Sequence, residues 1–142
     1  MWLESLSPIG APKPRVNRAV IDASVVLAAL KGEPGGERLA DMRAGRLISS
    51  VNLTEVVTRL LDLEFSDRQA LSMVEALGLT VVPFDAQTAV RAGLLRERTR
   101  TAGLSLGDRA CLALAATLSL PVLTADRNWD RVSADVEVHQ IR

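Results

Sequence analysis

The sequence predicts an α/β domain with a mostly parallel sheet covered on both faces by helices. Three observations carry that prediction. Short apolar and β-branched runs, such as 18–21 and 121–124, alternate along the chain with segments of helical periodicity. The chain has 142 residues, 48% of them hydrophobic, enough for one core without disulfide or metal staples. No repeat, low-complexity tract or internal linker divides it.

Residues 1–17 hold Pro8, Pro12 and Pro14 and show little periodicity. They are expected to form a flexible N-terminal extension, with the domain proper over 18–142. Residues 18–21 read as a short buried strand. It runs into an Ala- and Leu-rich helix over 23–31, ended by Gly32 and Pro34. A second short helix is expected over 36–44, closed by Gly45, and the next strand over 47–50.

Two amphipathic helices follow, over 52–64 and 66–77. The first spaces Leu53, Val56, Val57, Leu60 and Leu61 along one stripe; the second does so with Ala70, Leu71, Val74 and Leu77, stopped by Gly78. Residues 79–82 form a β-branched strand ended by Pro83, and 85–101 one long Arg-rich helix. Residues 105–119 are helical and apolar nearly all round, so that helix should be buried. A strand over 121–124, a turn or short helix over 126–131 and an alternating edge strand over 136–139 complete the chain.

Composition excludes several chemistries. One Cys cannot form an internal disulfide, and one Cys with one His cannot build a tetrahedral zinc site. His139 alone rules out a two-histidine acid/base mechanism. The balance of 17 basic against 17 acidic residues argues against a strongly basic nucleic-acid binder, though not against a local patch. The start lacks a continuous apolar h-region, and no apolar run is long enough to span a membrane, so the expected compartment is the cytoplasm. Demanding chemistry must come from carboxylates, hydroxyls or a bound ion.

Ligands of open α/β sheets bind outside the carboxyl ends of the strands. Asp22 follows the first strand directly. Glu55 lies in the first turn of the helix after the second strand, and Asp108 in the first turn of the buried helix. Asp126 sits just beyond the 121–124 strand. Each acid also reads as a helix cap: Asp22 before the 23–31 helix, Asp126 before the following turn, and Asn52 to Glu55 and Ser105 to Asp108 as capping boxes. Together, four carboxylates at one rim would repel one another and call for a compensating cation. The hard, oxygen-preferring ions Mg²⁺ and Mn²⁺ suit such a set.

Val20-Ile21-Asp22-Ala23-Ser24, Asn52-Leu53-Thr54-Glu55-Val56, Leu104-Ser105-Leu106-Gly107-Asp108-Arg109-Ala110 and Leu123-Thr124-Ala125-Asp126 occur in this order within an α/β chain. In these segments the chain resembles the PIN-domain family, and within it the VapC-type toxins of type II toxin–antitoxin pairs. The resemblance covers nearly the whole chain outside the N-terminal extension, which is longer than the family's usual start. It implies a three-layer α/β/α domain whose sheet of about five strands is ordered 3-2-1-4-5.

It also implies that Asp22, Glu55, Asp108 and Asp126 form the acidic quartet that binds Mg²⁺ or Mn²⁺ for endoribonuclease activity. Asp22 and Asp108 match the acids most directly associated with the metal. Ser24 and Thr124 match supporting hydroxyl residues, and Asn52 is a further supporting residue. The resemblance further implies a homodimer and a small VapB-like antitoxin that blocks the active site and brings DNA binding.

Of 15 arginines, Arg91, Arg96, Arg98 and Arg100 cluster shortly before Asp108. Arg96, Arg98, Arg100 and Arg109 are candidates for gripping RNA phosphates, against a plainer reading of a solvated helix face. Cys111 reads as a small core residue, His139 as structural or edge-exposed, and Asp130 as a cap or solvent-facing acid. Trp129 is expected to pack against the last strand. The Val56, Val57, Leu60, Leu61, Leu63 and Phe65 series exceeds one buried stripe and could extend into an antitoxin groove.

The expected function is hydrolysis of RNA phosphodiesters by a metal-dependent toxin ribonuclease. Its rivals are a housekeeping nuclease of the same fold, a catalytically silent RNA- or partner-binding module, and a receiver-type phosphoacceptor domain. The last would need an acidic pair at the first strand and a late lysine, but Asp22 stands alone there and no lysine follows Lys31. No dinucleotide or Walker A glycine pattern is present.

Overall fold

The structure, a computed structural model, describes residues 17–42, 45–131 and 135–142. Its elements in chain order are β1 (Ala19–Ile21), α1 (Ala23–Lys31), α2 (Glu37–Asp41), β2 (Arg46–Ser49), α3 (Ser50–Asp62), α4 (Asp67–Glu75), β3 (Thr80–Val82), α5 (Ala86–Leu94), α6 (Arg96–Thr99), α7 (Leu106–Leu118), β4 (Val122–Thr124), a 3₁₀ turn (Arg127–Arg131) and β5 (Val138–Gln140). The strands form one sheet in the order β3-β2-β1-β4-β5. Every neighbouring pair is parallel, with Val20 in register with Leu47 on one side and Val122 on the other. All five carboxyl ends therefore lie along one edge.

The sheet is buried on both faces because its strands supply apolar side chains in both directions. In β1, Ala19 and Ile21 belong to the core shared with Val25, Val26, Leu39, Val56 and Leu60, which seats α1 to α4. Val20, between them, points into the other core with Leu104, Leu112, Val122 and Trp129, on which α7 rests. α5 packs on α7. The result is three layers, α/β/α. Among the described residues no helix is long and apolar enough to cross a membrane.

Several boundaries differ from the sequence reading. The second helix is only Glu37–Asp41, because Met42 is already extended as the chain leaves for β2. The helix expected from Asn52 begins at Ser50, capped by Ser49, whose hydroxyl accepts from Val51 N. The long helix over 85–101 is divided at Leu95 into α5 and α6. Gly93 weakens that stretch, and Thr99 Oγ1 donates back to Leu95 O at 2.8 Å, a bond that bends helices.

Leu71, placed by periodicity on a buried stripe, is 59% exposed; α4 turns Ala70, Met73 and Val74 inward instead, and Leu77 packs on the same core just after the helix ends. The final strand is Val138–Gln140, starting two residues later and ending one residue later than alternation suggested. The extension assigned to the N-terminus lies outside the described residues, save Asn17.

Candidate active site

β1 ends at Ile21, so Asp22 emerges at the carboxyl edge of the central strand, at the N-cap position of α1. Its side chain makes no cap hydrogen bond. Ser24 Oγ donates to Asp22 Oδ2 at 2.6 Å, and Thr124 Oγ1 donates to the same oxygen at 2.9 Å. Each hydroxyl is fixed in turn by a backbone amide of the segment after β4: Ala125 N donates to Ser24 Oγ, and Asp126 N to Thr124 Oγ1. The end of β4 is thereby tied to the start of α1 through Asp22. This carboxyl is buried, which pushes its pKa up to about 6 despite the two hydroxyls; the negative Asp108 and Glu55 add to the rise.

α3 presents Glu55 from the neighbouring strand end. Asn52, fully buried, donates from one amide nitrogen to Glu55 Oε1 at 2.8 Å and to Gly107 O at 3.0 Å. Asn52 is the third residue of α3, not its cap, so the capping box expected from Asn52 to Glu55 is not formed. Ser49 takes the cap, which frees Asn52 to bridge α3 and α7. Partial burial raises the Glu55 pKa, Asn52 opposes that, and Asp108 adds to it.

The Ser105–Asp108 capping box is present: Ser105 N donates to Asp108 Oδ2 at 2.8 Å and Asp108 N donates to Ser105 Oγ at 3.2 Å. Cap and rim coincide here, since the cap fixes the carboxyl while the helix start aims it at the strand edge. Burial lifts the Asp108 pKa, the Ser105 donors lower it, Asp126 raises it and Trp129 lowers it. Asp126 Oδ1 accepts from Asn128 N at 2.9 Å and caps the 3₁₀ turn. Asp130 is held at 3.1 Å by Gln140 Nε2 and lies 3.7 Å from Arg127.

The four acids therefore form one electrostatic unit: Asp22 feels Asp108 and Glu55, Glu55 feels Asp108, and Asp108 feels Asp126. Cys111 lies under them, fully buried; burial first, then the field of Asp22, Asp108 and Glu55, raises its thiol pKa and keeps it a protonated core group. Among the described residues, the ion pairs engage none of the four acids. An all-oxygen donor set with this much uncompensated charge fits a hard divalent cation. Among the described residues, no group of three His, Cys, Asp or Glu side chains stands close enough together to hold an ion. Mg²⁺ does not require one, since it commonly uses one or two carboxylates and keeps its waters.

Gly107 is the site residue that sequence reading overlooked. The signal was a glycine in the first turn of a helix, immediately before an acid, where glycine is a poor helix former. Arg96, Arg98 and Arg100 are exposed on and beside α6; Arg100 pairs with Glu97 at 2.7 Å, and Arg98 lies 4.0 Å from Asp135. Arg109 is committed elsewhere, its Nη1 donating to Ala92 O at 2.9 Å and joining α7 to α5. His139 pairs with Glu137 at 2.7 Å on the edge strand.

Fold and rim together define a parallel α/β domain with carboxylates gathered at its strand ends. A family model for the PIN domain matches residues 19–135. The chain belongs to the PIN domain family. No curated protein sequence is significantly similar to it. Among solved structures, the DNA-bound VapBC of Salmonella typhimurium is similar at 22% identity, covering 89% of this chain and 100% of that one, with a TM-score of 0.71. VapBC-5 of Mycobacterium tuberculosis, a member of the VapBC family of toxin–antitoxin systems, is similar at 25% identity over 89% and 99%, with a TM-score of 0.61. VapC20 of the same organism, a toxin that cleaves the sarcin-ricin loop, is similar at 18% identity over 79% and 92%, with a TM-score of 0.64.

Proposed function

We propose that this chain is a divalent-metal-dependent endoribonuclease, acting as the toxin of a VapC-type toxin–antitoxin pair. The observation that carries the reading is Asp22: a residue only 4% exposed at the carboxyl end of the central strand, raised in pKa further by two other acids and paired with no cation among the described residues. A buried, uncompensated carboxylate is costly to keep unless a ligand repays it.

Asp22 and Asp108 would hold Mg²⁺ or Mn²⁺, with Glu55 and Asp126 completing the rim. The bound ion would supply charge neutralisation at a phosphodiester and a lowered pKa for water. The chain's own residues supply orientation. Ser24 and Thr124 hold Asp22 by one oxygen, Asn52 holds Glu55, and Ser105 holds Asp108. The solvent-facing arginines of α6, Arg96, Arg98 and Arg100, are the groups offered to RNA phosphates.

The similarity to VapC20 and to VapBC complexes supports RNA as substrate and a small antitoxin as partner. A cytoplasmic homodimer belongs to the same reading. The test is cleavage of total RNA by the purified protein with Mg²⁺ or Mn²⁺, beside Asp22→Asn, Asp108→Asn and an EDTA control. Cleavage that survives either substitution or EDTA unchanged refutes the metal mechanism. Growth arrest on expression, relieved by the product of an adjacent small gene, is the expected sign of a toxin.

A further inference from the structure

Glu55 opens a groove of 270 Å³ on the outer flank of α3, lined by Thr54, Glu55, Thr58, Arg59 and Asp62. All five residues are exposed and recur on successive turns of one stripe, while Val56 and Leu60 hold the opposite face of the helix in the core. Arg59 follows Glu55 by four residues, the order and spacing at which an acid and a base ordinarily pair along a helix. They do not pair here. Asn52 draws Glu55 Oε1 to itself at 2.8 Å, and no ion pair among the described residues engages Arg59, with either Glu55 or Asp62. Neither the Arg59 guanidinium nor the Thr58 hydroxyl has a hydrogen-bond partner among the described residues. A planar fork of N–H donors and one O–H donor thus face the groove uncommitted, a set that suits a phosphate.

We propose that this groove is a phosphate subsite: Arg59, with the Thr58 hydroxyl, holds the phosphate next to the one that meets the acids, and the RNA strand leaves the rim along α3. The subsite rests on the ribonuclease reading above and names a further part of its substrate path. Arg59 stands one turn from Glu55, about 6 Å along the helix axis, a step matched to neighbouring phosphates of a single strand. Asp62, on the turn after Arg59, repels an anion, so the groove takes one phosphate and not a run of them. Arg59 also grips from a different side than α6. α3 is seated in the core shared with α1, whereas Leu95, where α6 begins, packs on the other core.

The experiment uses the full chain carrying Asp22→Asn to stop cleavage, with a fluorescent single-stranded oligouridylate as the probe and Mg²⁺ held constant. On that background Arg59→Ala should keep the melting temperature and lower the slope of log K against log salt by about 0.7. At about 50 mM salt, that slope corresponds to binding about eightfold weaker. Arg59→Lys, which keeps the charge, should retain the slope. Asp62→Asn should bind the probe more tightly than the background, because it removes the groove's repelling charge. Arg68→Ala removes an equally exposed arginine from α4, outside the groove, and should change neither slope nor affinity.

An unmoved slope in Arg59→Ala, or an equal loss in Arg68→Ala, overturns the subsite and leaves the ribonuclease reading standing. Cleavage of total RNA by the parent in Mg²⁺, measured alongside, separates the two. No binding of the probe beside intact cleavage sinks the subsite alone, whereas no binding together with no cleavage sinks the ribonuclease reading and the subsite with it.

Discussion

Glu55 lies so tightly against Gly107 that a Cβ on the glycine would come within 1.9 Å of Glu55 Oε1. The contact joins the second turn of α3 to the first turn of α7, and Asn52 reinforces it by donating to both Glu55 and the Gly107 carbonyl. A glycine inside a helix ordinarily destabilises it by about 0.5–1 kcal/mol relative to alanine, so some other requirement keeps it here. That requirement is room for a carboxylate.

Gly107→Ala separates stability from function. The atom that a new methyl would meet is the far end of a flexible side chain, so Glu55 can swing aside while the backbone stays put. The expected result is a melting temperature equal to or slightly above the parent's, together with RNA cleavage reduced by roughly tenfold or more, the scale of lost orienting contacts at metal sites. Thermal melts and a cleavage time course on one preparation check it. A variant that loses stability and keeps activity would mean that Glu55 is dispensable at the rim.

Asp22 predicts an inverted pH dependence of stability in metal-free protein. Its pKa rises from 3.8 to about 6 on folding, so between those values the native state binds more protons than the unfolded chain. Stability from this group is therefore greatest at low pH and declines as pH rises through about 6. The full cost, a little over two pK units, is on the order of 3 kcal/mol. With EDTA present, Asp22→Asn should be more stable than the parent at about pH 8, and the gap should close by about pH 4. Urea melts at the two pH values measure it.

Adding the ion should reverse that ranking. A ligand bound only by the folded state stabilises it by about 2.7 kcal/mol at a hundredfold excess over its Kd. Mg²⁺ or Mn²⁺ should accordingly raise the parent's melting temperature near neutral pH, and Asp22→Asn or Asp108→Asn should abolish most of the rise. An equal rise in all three proteins would place any bound ion away from these acids.

The hydroxyls on Asp22 set where activity begins on the acid side. Ser24 and Thr124 both lower its pKa by donating to Oδ2, so removing either donor moves the pKa further up. Ser24→Ala and Thr124→Val should each shift the acidic limb of the cleavage pH profile to higher pH, with less loss at the alkaline plateau. Ser24→Thr, which keeps a donor, should restore the parent limb. The profile itself is the measurement, and an unmoved limb would reduce both hydroxyls to links between α1 and β4.

The acids were legible in the sequence because strand ends and helix starts are marked locally: Val20-Ile21 before Asp22, Ser105 before Asp108, Leu123-Thr124 before Asp126. The strand order was not written in periodicity and followed only from the resemblance. What stayed hidden depends on contacts far apart in the chain. Asn52 matches a cap by spacing, but Ser49, three residues earlier, takes that role, and the partner that explains Asn52 is the distant Gly107 carbonyl. Leu71 satisfies a helical stripe, yet α4 lies at the margin of the fold and the core needs only its other face. The division at Leu95 falls between Gly93, a weak helix former, and a Thr99 hydroxyl that bonds back to Leu95 O, neither of which a hydrophobic pattern records.

The arginines of α6 should act on RNA binding without acting on the fold. Arg96, Arg98 and Arg100 are exposed, and the pairs that engage Arg98 and Arg100 are surface pairs, which typically contribute less than about 1 kcal/mol. Each Arg→Ala should leave the melting temperature nearly unchanged. If the side chain grips a phosphate, the same change should weaken RNA binding across sequences and reduce the slope of log K against log salt by about 0.7 for a single strand. Arg109→Ala should behave in the opposite way, costing stability through the lost bond to Ala92 O while leaving the salt slope alone. Binding isotherms at several salt concentrations on a catalytically dead Asp22→Asn background separate the two classes. An unaltered slope in all three α6 variants would return that helix face to plain solvent exposure.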